Sequence, residues 1–195
     1  EENGEHGNIN QNSTARIVQE VDRMDSFIRE LLDFGQQANV SIVSSDLAQL
    51  AAEAMASAKS GSNWVDDKGL KIVEDRMPAG PVLLQKERIL RALTNIILNA
   101  FEATPEGGTV QLATFISGKG DASRAICQID NDGPAIPEAD RERIFEPFYT
   151  TKPKGTGLGL AMASQIVVQN GGTLTAEPRP TGARFVLAFP LMKAD

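Results

Sequence analysis

The 195-residue chain contains one cysteine, Cys127, and one histidine, His6. A lone thiol excludes an internal disulfide framework and fits a reducing, cytoplasmic setting. Long apolar runs are also missing. Runs such as VLL and IVV fall far short of the roughly 20 residues a membrane helix needs; a parent protein tethered to a membrane would need its anchor elsewhere. Cations are in deficit, with 19 Lys and Arg against 26 Asp and Glu and a net charge of −7. That balance argues against a nucleic-acid surface. It also sets a condition: any bound polyanion must be met by local cations or by backbone N–H groups. With 41% hydrophobic and 23% charged residues, the composition excludes fibrous and disordered classes. The length suits one domain with a small appendage.

That appendage is read as residues 1–38, followed by a larger domain, 39–195. EENGEHGNINQN is polar and aperiodic. In the next stretch Ile17, Val21, Met24, Ile28 and Leu31 recur at 4-3-4-3 spacing, the seam of a helix that packs in a bundle. Ser13 or Thr14 can cap its start, and Gly35 stands near its end. Ser44-Ser45-Asp46 caps a second helix, about 46–59. GSNWVDDKG reads as a turn-rich connection into a strand near 69–75, and LQKERILRALTNIILNAFEAT as a long amphipathic helix. Strands follow near 108–116 and 125–131, then a long loop with one helical turn at RERIF. GLGLAMASQIVVQNGG reads as a glycine-entered helix, and TLTAE with ARFVLAFP as a final strand pair. The expected class is α+β, a two-layer sandwich with helices on one face of a mixed, mainly antiparallel sheet.

Three segments carry chemistry. In LTNIILNA, Asn95 and Asn99 stand four apart on an otherwise apolar helix, hence on one face, one turn from each other. In IDNDGPAIP a strand runs into a turn, and in KPKGTGLGL a loop enters a helix through Gly155, Gly157 and Gly159. Glycines let backbone N–H groups approach a ligand, and a helix N-terminus carries partial positive charge, so together they favour a phosphate.

LTNIILNAFEAT, NDGPAIP, RIFEPFYTTK and GTGLGL, in that order, resemble the N, G1, F and G2 boxes of sensor histidine kinases. The catalytic domain of those kinases has the Bergerat-type ATP-binding fold, shared with DNA gyrase, the heat-shock chaperones and mismatch-repair ATPases. VDRMDSFIRELLDFGQ resembles the second helix of their dimerisation and phosphoacceptor hairpin. The resemblance implies a domain that binds ATP and Mg²⁺ and donates the γ-phosphoryl group to a histidine of its own phosphoacceptor domain. From there it would pass to a response regulator, with the parent protein a homodimer. By the same resemblance Asn99 is the Mg²⁺ ligand and Asn95 lies beside the metal and phosphates, these two being the catalytic pair. A hard ion such as Mg²⁺ accepts a neutral amide oxygen. Asn131, Gly133, Ala135 and Ile136 fall at the base. Lys152 and the run Gly155, Thr156, Gly157, Leu158, Gly159 and Leu160 fall at the phosphates. In the ATP-hydrolysing relatives the Asn95 position holds a glutamate base. An amide cannot take that proton, so a kinase is favoured over an ATPase. The lid, about 137–156, is expected to order over ATP and to open for release.

The chain departs from the pattern in places. Asn131 stands where most members have aspartate, Ala135 replaces the second glycine, and Glu102 replaces a phosphate-binding lysine found in some members. Alternation along the strand puts Cys127, Ile129 and Asn131 on one face and Gln128 and Asp130 on the other, so Asp130 is expected to be solvated and Asn131 to meet the adenine. An uncharged acceptor there should cost about 1 kcal/mol. Ala135 is tolerable unless its backbone needs a positive φ. Arg141, Arg143, Lys152 and Lys154 supply the required cations, while Phe145 and Phe148 are expected to anchor the lid by packing. His6 lies in no context like that of a phosphoacceptor. The chain is therefore expected to begin in the hairpin's connecting loop and to be unable to phosphorylate itself alone. Two alternatives are an anti-sigma-type serine kinase of the same fold and a degenerate docking module that has lost ATP. The hairpin-like helix argues against the first. Asn131, Ala135 and Glu102 speak for the second.

Overall fold

The computed structural model describes residues 41–152 and 155–192. The appendage assigned to 1–38, with its apolar seam, its caps and His6, lies outside them, as does Lys154. The described chain runs β1 (Val43–Ser45), α1 (Leu47–Ser60), α2 (Trp64–Lys68), β2 (Lys71–Arg76), β3 (Val82–Leu84), α3 (Lys86–Ala103), β4 (Thr109–Ser117), β5 (Arg124–Asn131), α4 (Gly159–Gln169), β6 (Thr173–Glu177) and β7 (Ala183–Pro190). Five strands form one sheet in the order β2-β4-β5-β7-β6. β2 pairs with β4 in parallel, and the other pairings are antiparallel. The mixed, mainly antiparallel α+β sandwich is as expected.

The sequence explains the layering. α3 buries Ile89, Ala92, Leu93, Ile96, Ile97, Ala100 and Phe101, a stripe at helical period. α1 brings Leu47, Leu50, Ala54 and Met55 into the same core, and the sheet brings Leu112, Ile129, Leu187 and Phe189. Truncating one of the large residues, for example Ile96→Ala, should cost about 2–5 kcal/mol. Asp46 caps α1: its Oδ1 accepts from Ala48 N at 2.9 Å and from Ala79 N at 3.1 Å.

Two elements differ from expectation. GSNWVDDKG contains a helical turn, α2, closed by Gly69 at φ 59°. Its Lys68 Nζ donates to the carbonyls of Phe101 (3.3 Å), Glu102 (2.7 Å) and Thr104 (2.8 Å). A cation thus sits on the negative end of α3, steadied 4.7 Å over the Trp64 ring. β1 and β3 form a separate two-stranded antiparallel ribbon. Three-residue strands leave too little alternation for a sequence to show. Among the described residues no helix is long and apolar enough to cross a membrane.

Candidate functional site

The site gathers at one end of α3, where β5 ends and α4 begins. Asn95 and Asn99 stand at the half-buried edge of α3, beside its apolar stripe. Asn99 already holds a cation: Lys152 Nζ donates to its Oδ1 at 2.5 Å and to Glu102 Oε2 at 2.6 Å. The lysine picked out in the lid is therefore at the asparagine picked out on the helix, with Glu102 as the third member.

β5 ends on Asn131, which is 1% exposed. Its Nδ2 is buried with no hydrogen-bond partner among the described residues. Its backbone is held firmly by contrast, with Arg179 Nη1 donating to Asn131 O at 3.1 Å. Gly133 follows in the turn. A Cβ there would stand 2.5 Å from Asn131 Nδ2 and 2.6 Å from Ala103 O, so only glycine lets the turn close over α3. Ala135 is exposed and Ile136 packs against the core. Phe148 is the sole non-glycine residue with positive φ among those described, so Ala135 needs no glycine conformation and its methyl is accommodated.

Asp130 corrects the expectation that it is solvated. It is 3% exposed and paired in two-pronged fashion with Arg184, Oδ1 to Nε at 2.8 Å and Oδ2 to Nη2 at 2.7 Å. The alternation along β5 holds, but β5 is the middle strand of the sheet. Register puts Arg184 of β7 opposite Asp130, and Arg179 Nε lies 3.9 Å from the same carboxylate. The bond to Asp130 holds the Arg184 guanidinium even more firmly protonated than usual, against a smaller opposing effect of burial. No period-2 reading of β5 alone could find these arginines.

In the lid, Phe145 packs edge-on against Phe185, ring centroids 6.4 Å apart, as an anchor should. Phe148 does not: it is 62% exposed, at φ 69°. Its N donates to Gly157 O at 3.1 Å, and a Cβ on Gly157, itself at φ 70°, would meet the Phe148 carbonyl carbon at 2.5 Å. Phe148 therefore serves through its backbone, in a close approach that only glycine permits. Arg143 is committed within the lid, 4.6 Å over the Tyr149 ring and 3.4 Å from Asp140. Asp140 also accepts from Tyr149 Oη at 2.7 Å and, with burial, raises that phenol's pKa. Arg143 is thus tied to its neighbours rather than free to meet an anion. Thr156 Oγ1 accepts from Leu158 N at 3.3 Å, and Leu158, which opens α4 ahead of Gly159 and Leu160, makes no side-chain cap of its own. Helix N–H groups at that end are the kind a phosphate satisfies.

This order of elements matches known proteins. The chain is 30% identical over 176 residues to the sensor histidine kinase ZraS of Escherichia coli O157:H7, covering 90% of this chain and 37% of that protein. It is 29% identical to the sensory histidine kinase/phosphatase NtrB of Rhodobacter capsulatus, covering 91% and 52%. The chain thus spans little over a third of the ZraS relative's length. Among solved structures it superposes on the catalytic domain of histidine kinase ThkA with a TM-score of 0.65 at 28% identity, covering 77% of this chain and 95% of that one. On full-length ShkA in complex with AMPPNP the TM-score is 0.75 at 26% identity, covering 95% and 40%. Residues 85–193, which include α3, the end of β5, the lid and α4, match the histidine kinase-, DNA gyrase B- and HSP90-like ATPase family, and the chain belongs to that family.

Proposed function

We propose that the chain is the ATP-binding catalytic part of a sensor histidine kinase, which holds ATP with Mg²⁺ and presents the γ-phosphoryl group to a histidine on a phosphoacceptor helix for relay to a response regulator. The supporting observation is the Asn99 oxygen. It holds an ammonium group at 2.5 Å, so it is aimed and polarised for a cation, and a metal–phosphate cluster suits it. In this reading Asn99 is the Mg²⁺ ligand, and Mg²⁺ would supply charge neutralisation on the phosphates. Asn95 lies beside it, Lys152 turns from Asn99 to the phosphates, and the backbone of Gly155, Thr156, Gly157, Leu158, Gly159 and Leu160 cradles them. Asn131, Gly133, Ala135 and Ile136 bound the base.

Asn95 bears on the reaction. One turn before Asn99 the helix carries an amide, which has no proton-accepting group in the useful range. A site without a base for water keeps its nucleotide for another nucleophile. Positioning and charge neutralisation then suffice for transfer. ShkA bound AMPPNP, and ThkA was crystallised with the response regulator TrrA; both precedents support the reading. The domain division at 38/39 and a homodimeric, cytoplasmic parent belong to the same proposal.

Calorimetric titration with ATP, with and without Mg²⁺, tests the first half. Adding a separately purified phosphoacceptor hairpin and γ-labelled ATP tests the second, with acid-labile phosphate on the hairpin as the expected product. Free phosphate released at a rate that ignores the hairpin would mean an ATPase. Absence of binding at millimolar nucleotide would mean a docking module.

A further inference from the structure

The side chain placed at the base in the reading above, Asn131, has no hydrogen-bond partner among the described residues to fix which amide atom faces inward. Asn131 is 1% exposed, yet its Nδ2 has no hydrogen-bond partner among the described residues. The neighbouring groups are committed elsewhere: Arg179 Nη1 bonds the Asn131 backbone carbonyl, and Arg184 bonds Asp130. In most buried amides a partner decides which atom faces inward. Here none does so. Turning the amide by half a rotation exchanges one unpaired inward atom for another, and the outward atom changes from an acceptor to a donor.

We infer that Asn131 makes the site tolerant at purine position 6, so that it takes 6-oxo purine triphosphates, of which inosine triphosphate is the simplest, as well as the 6-amino purine of ATP. This rests on the nucleotide site proposed above and deepens it by naming the class of base admitted. Adenine offers an N–H donor at position 6, which the Asn131 Oδ1 accepts. Hypoxanthine offers a carbonyl oxygen there, to which the turned Nδ2 donates. A carboxylate has only acceptors, so an aspartate in this place would face the 6-oxo group with like against like, in a buried setting where unmatched polar groups are costly. The amide removes that discrimination. Guanine adds a 2-amino group, which poses a separate question of space, so inosine triphosphate is the cleaner probe.

The test is competition calorimetry on the whole chain with Mg²⁺ and either ATP or inosine triphosphate, repeated on Asn131→Asp. The expected result is dissociation constants within about threefold for the two nucleotides in the unmodified chain. In Asn131→Asp the inosine nucleotide should fall behind ATP by about tenfold or more, the equivalent of one lost hydrogen bond. If the unmodified chain binds ATP but binds the inosine nucleotide more than tenfold weaker, the inference fails and the nucleotide site stands. An unchanged ratio in Asn131→Asp also sinks it. If neither nucleotide binds, the proposed function fails and takes the inference with it.

Discussion

Lys152 Nζ lies 2.6 Å from Glu102 Oε2, and the same ammonium donates to Asn99 Oδ1. A lid cation thus occupies the oxygen proposed for Mg²⁺, held there by an acid at the end of α3. Metal and lysine cannot share that oxygen, so nucleotide binding must first break this pair. Both side chains are partly exposed, 35% and 47%, and solvent screening keeps such a pair to about 1 kcal/mol or less. Glu102→Gln should therefore tighten Mg²⁺–ATP binding by a few fold, read by calorimetry at low salt. The gain should shrink as ionic strength rises. Weaker binding in Glu102→Gln would mean that Glu102 helps to hold the nucleotide.

Asn99→Ala removes the oxygen that Lys152 occupies and that is proposed for Mg²⁺. The expected outcome is loss of the Mg²⁺-dependent part of ATP affinity, with the metal-free affinity changed little. Asn99 is half-buried on a helix, where alanine is the best former, so the melting temperature should hold. An affinity for Mg²⁺–ATP equal to that of the unmodified chain would remove Asn99 from the metal.

The Asp130–Arg184 pair makes a stability prediction. Asp130 is 4% exposed in its side chain and Arg184 31%. Arg184→Leu leaves a buried carboxylate with the neutral Gln128 amide, whose Nε2 donates to Oδ2 at 3.2 Å, and with Arg179 as its remaining cation, 3.9 Å away. Stripping a partner from a buried charge costs about 3 kcal/mol at the low end. Adding Asp130→Asn should recover more than half of the loss, because no charge is then stranded. Urea unfolding of the two variants checks both figures. A single variant as stable as the unmodified chain would show that Arg179 and Gln128 satisfy the carboxylate without Arg184.

The long elements were legible because their periods are long. α3, α4 and the strands β4, β5, β6 and β7 fall within a few residues of where patterning puts them. Lys152 also proved to stand at Asn99, 53 residues away. What escaped was whatever depends on a partner from elsewhere in the chain. WVDDK has no apolar stripe, and α2 exists because Lys68 reaches the carbonyls of α3. Asp130 looked solvated because its cover comes from side chains 49 and 54 residues further on. Phe148 looked like an anchor because phenylalanine usually is one. Its exposure follows from the left-handed backbone it adopts against Gly157.

Cys127 makes the last prediction, one of pH. Burial, with no compensating charge, pushes its thiol from an ordinary 9.0 up to about 12. The folded state thus holds this proton over a range in which the unfolded state gives it up. Below pH 9 both states carry it and stability is untouched. Between pH 9 and 12 the unfolded chain is favoured, so stability falls as pH rises, with a slope approaching 1.4 kcal/mol per unit. By pH 10 the loss from this group should be about 1.4 kcal/mol relative to pH 8. Other groups of the chain, its single tyrosine Tyr149 among them, also give up protons at alkaline pH, so the informative quantity is a difference. Cys127→Ala should be less stable at pH 8, because a small cavity opens in the core, but it should lose less on going to pH 10. Urea unfolding of both chains at the two pH values measures this. Parallel losses would place the thiolate in contact with solvent, which the packing of β5 between β4 and β7 does not permit.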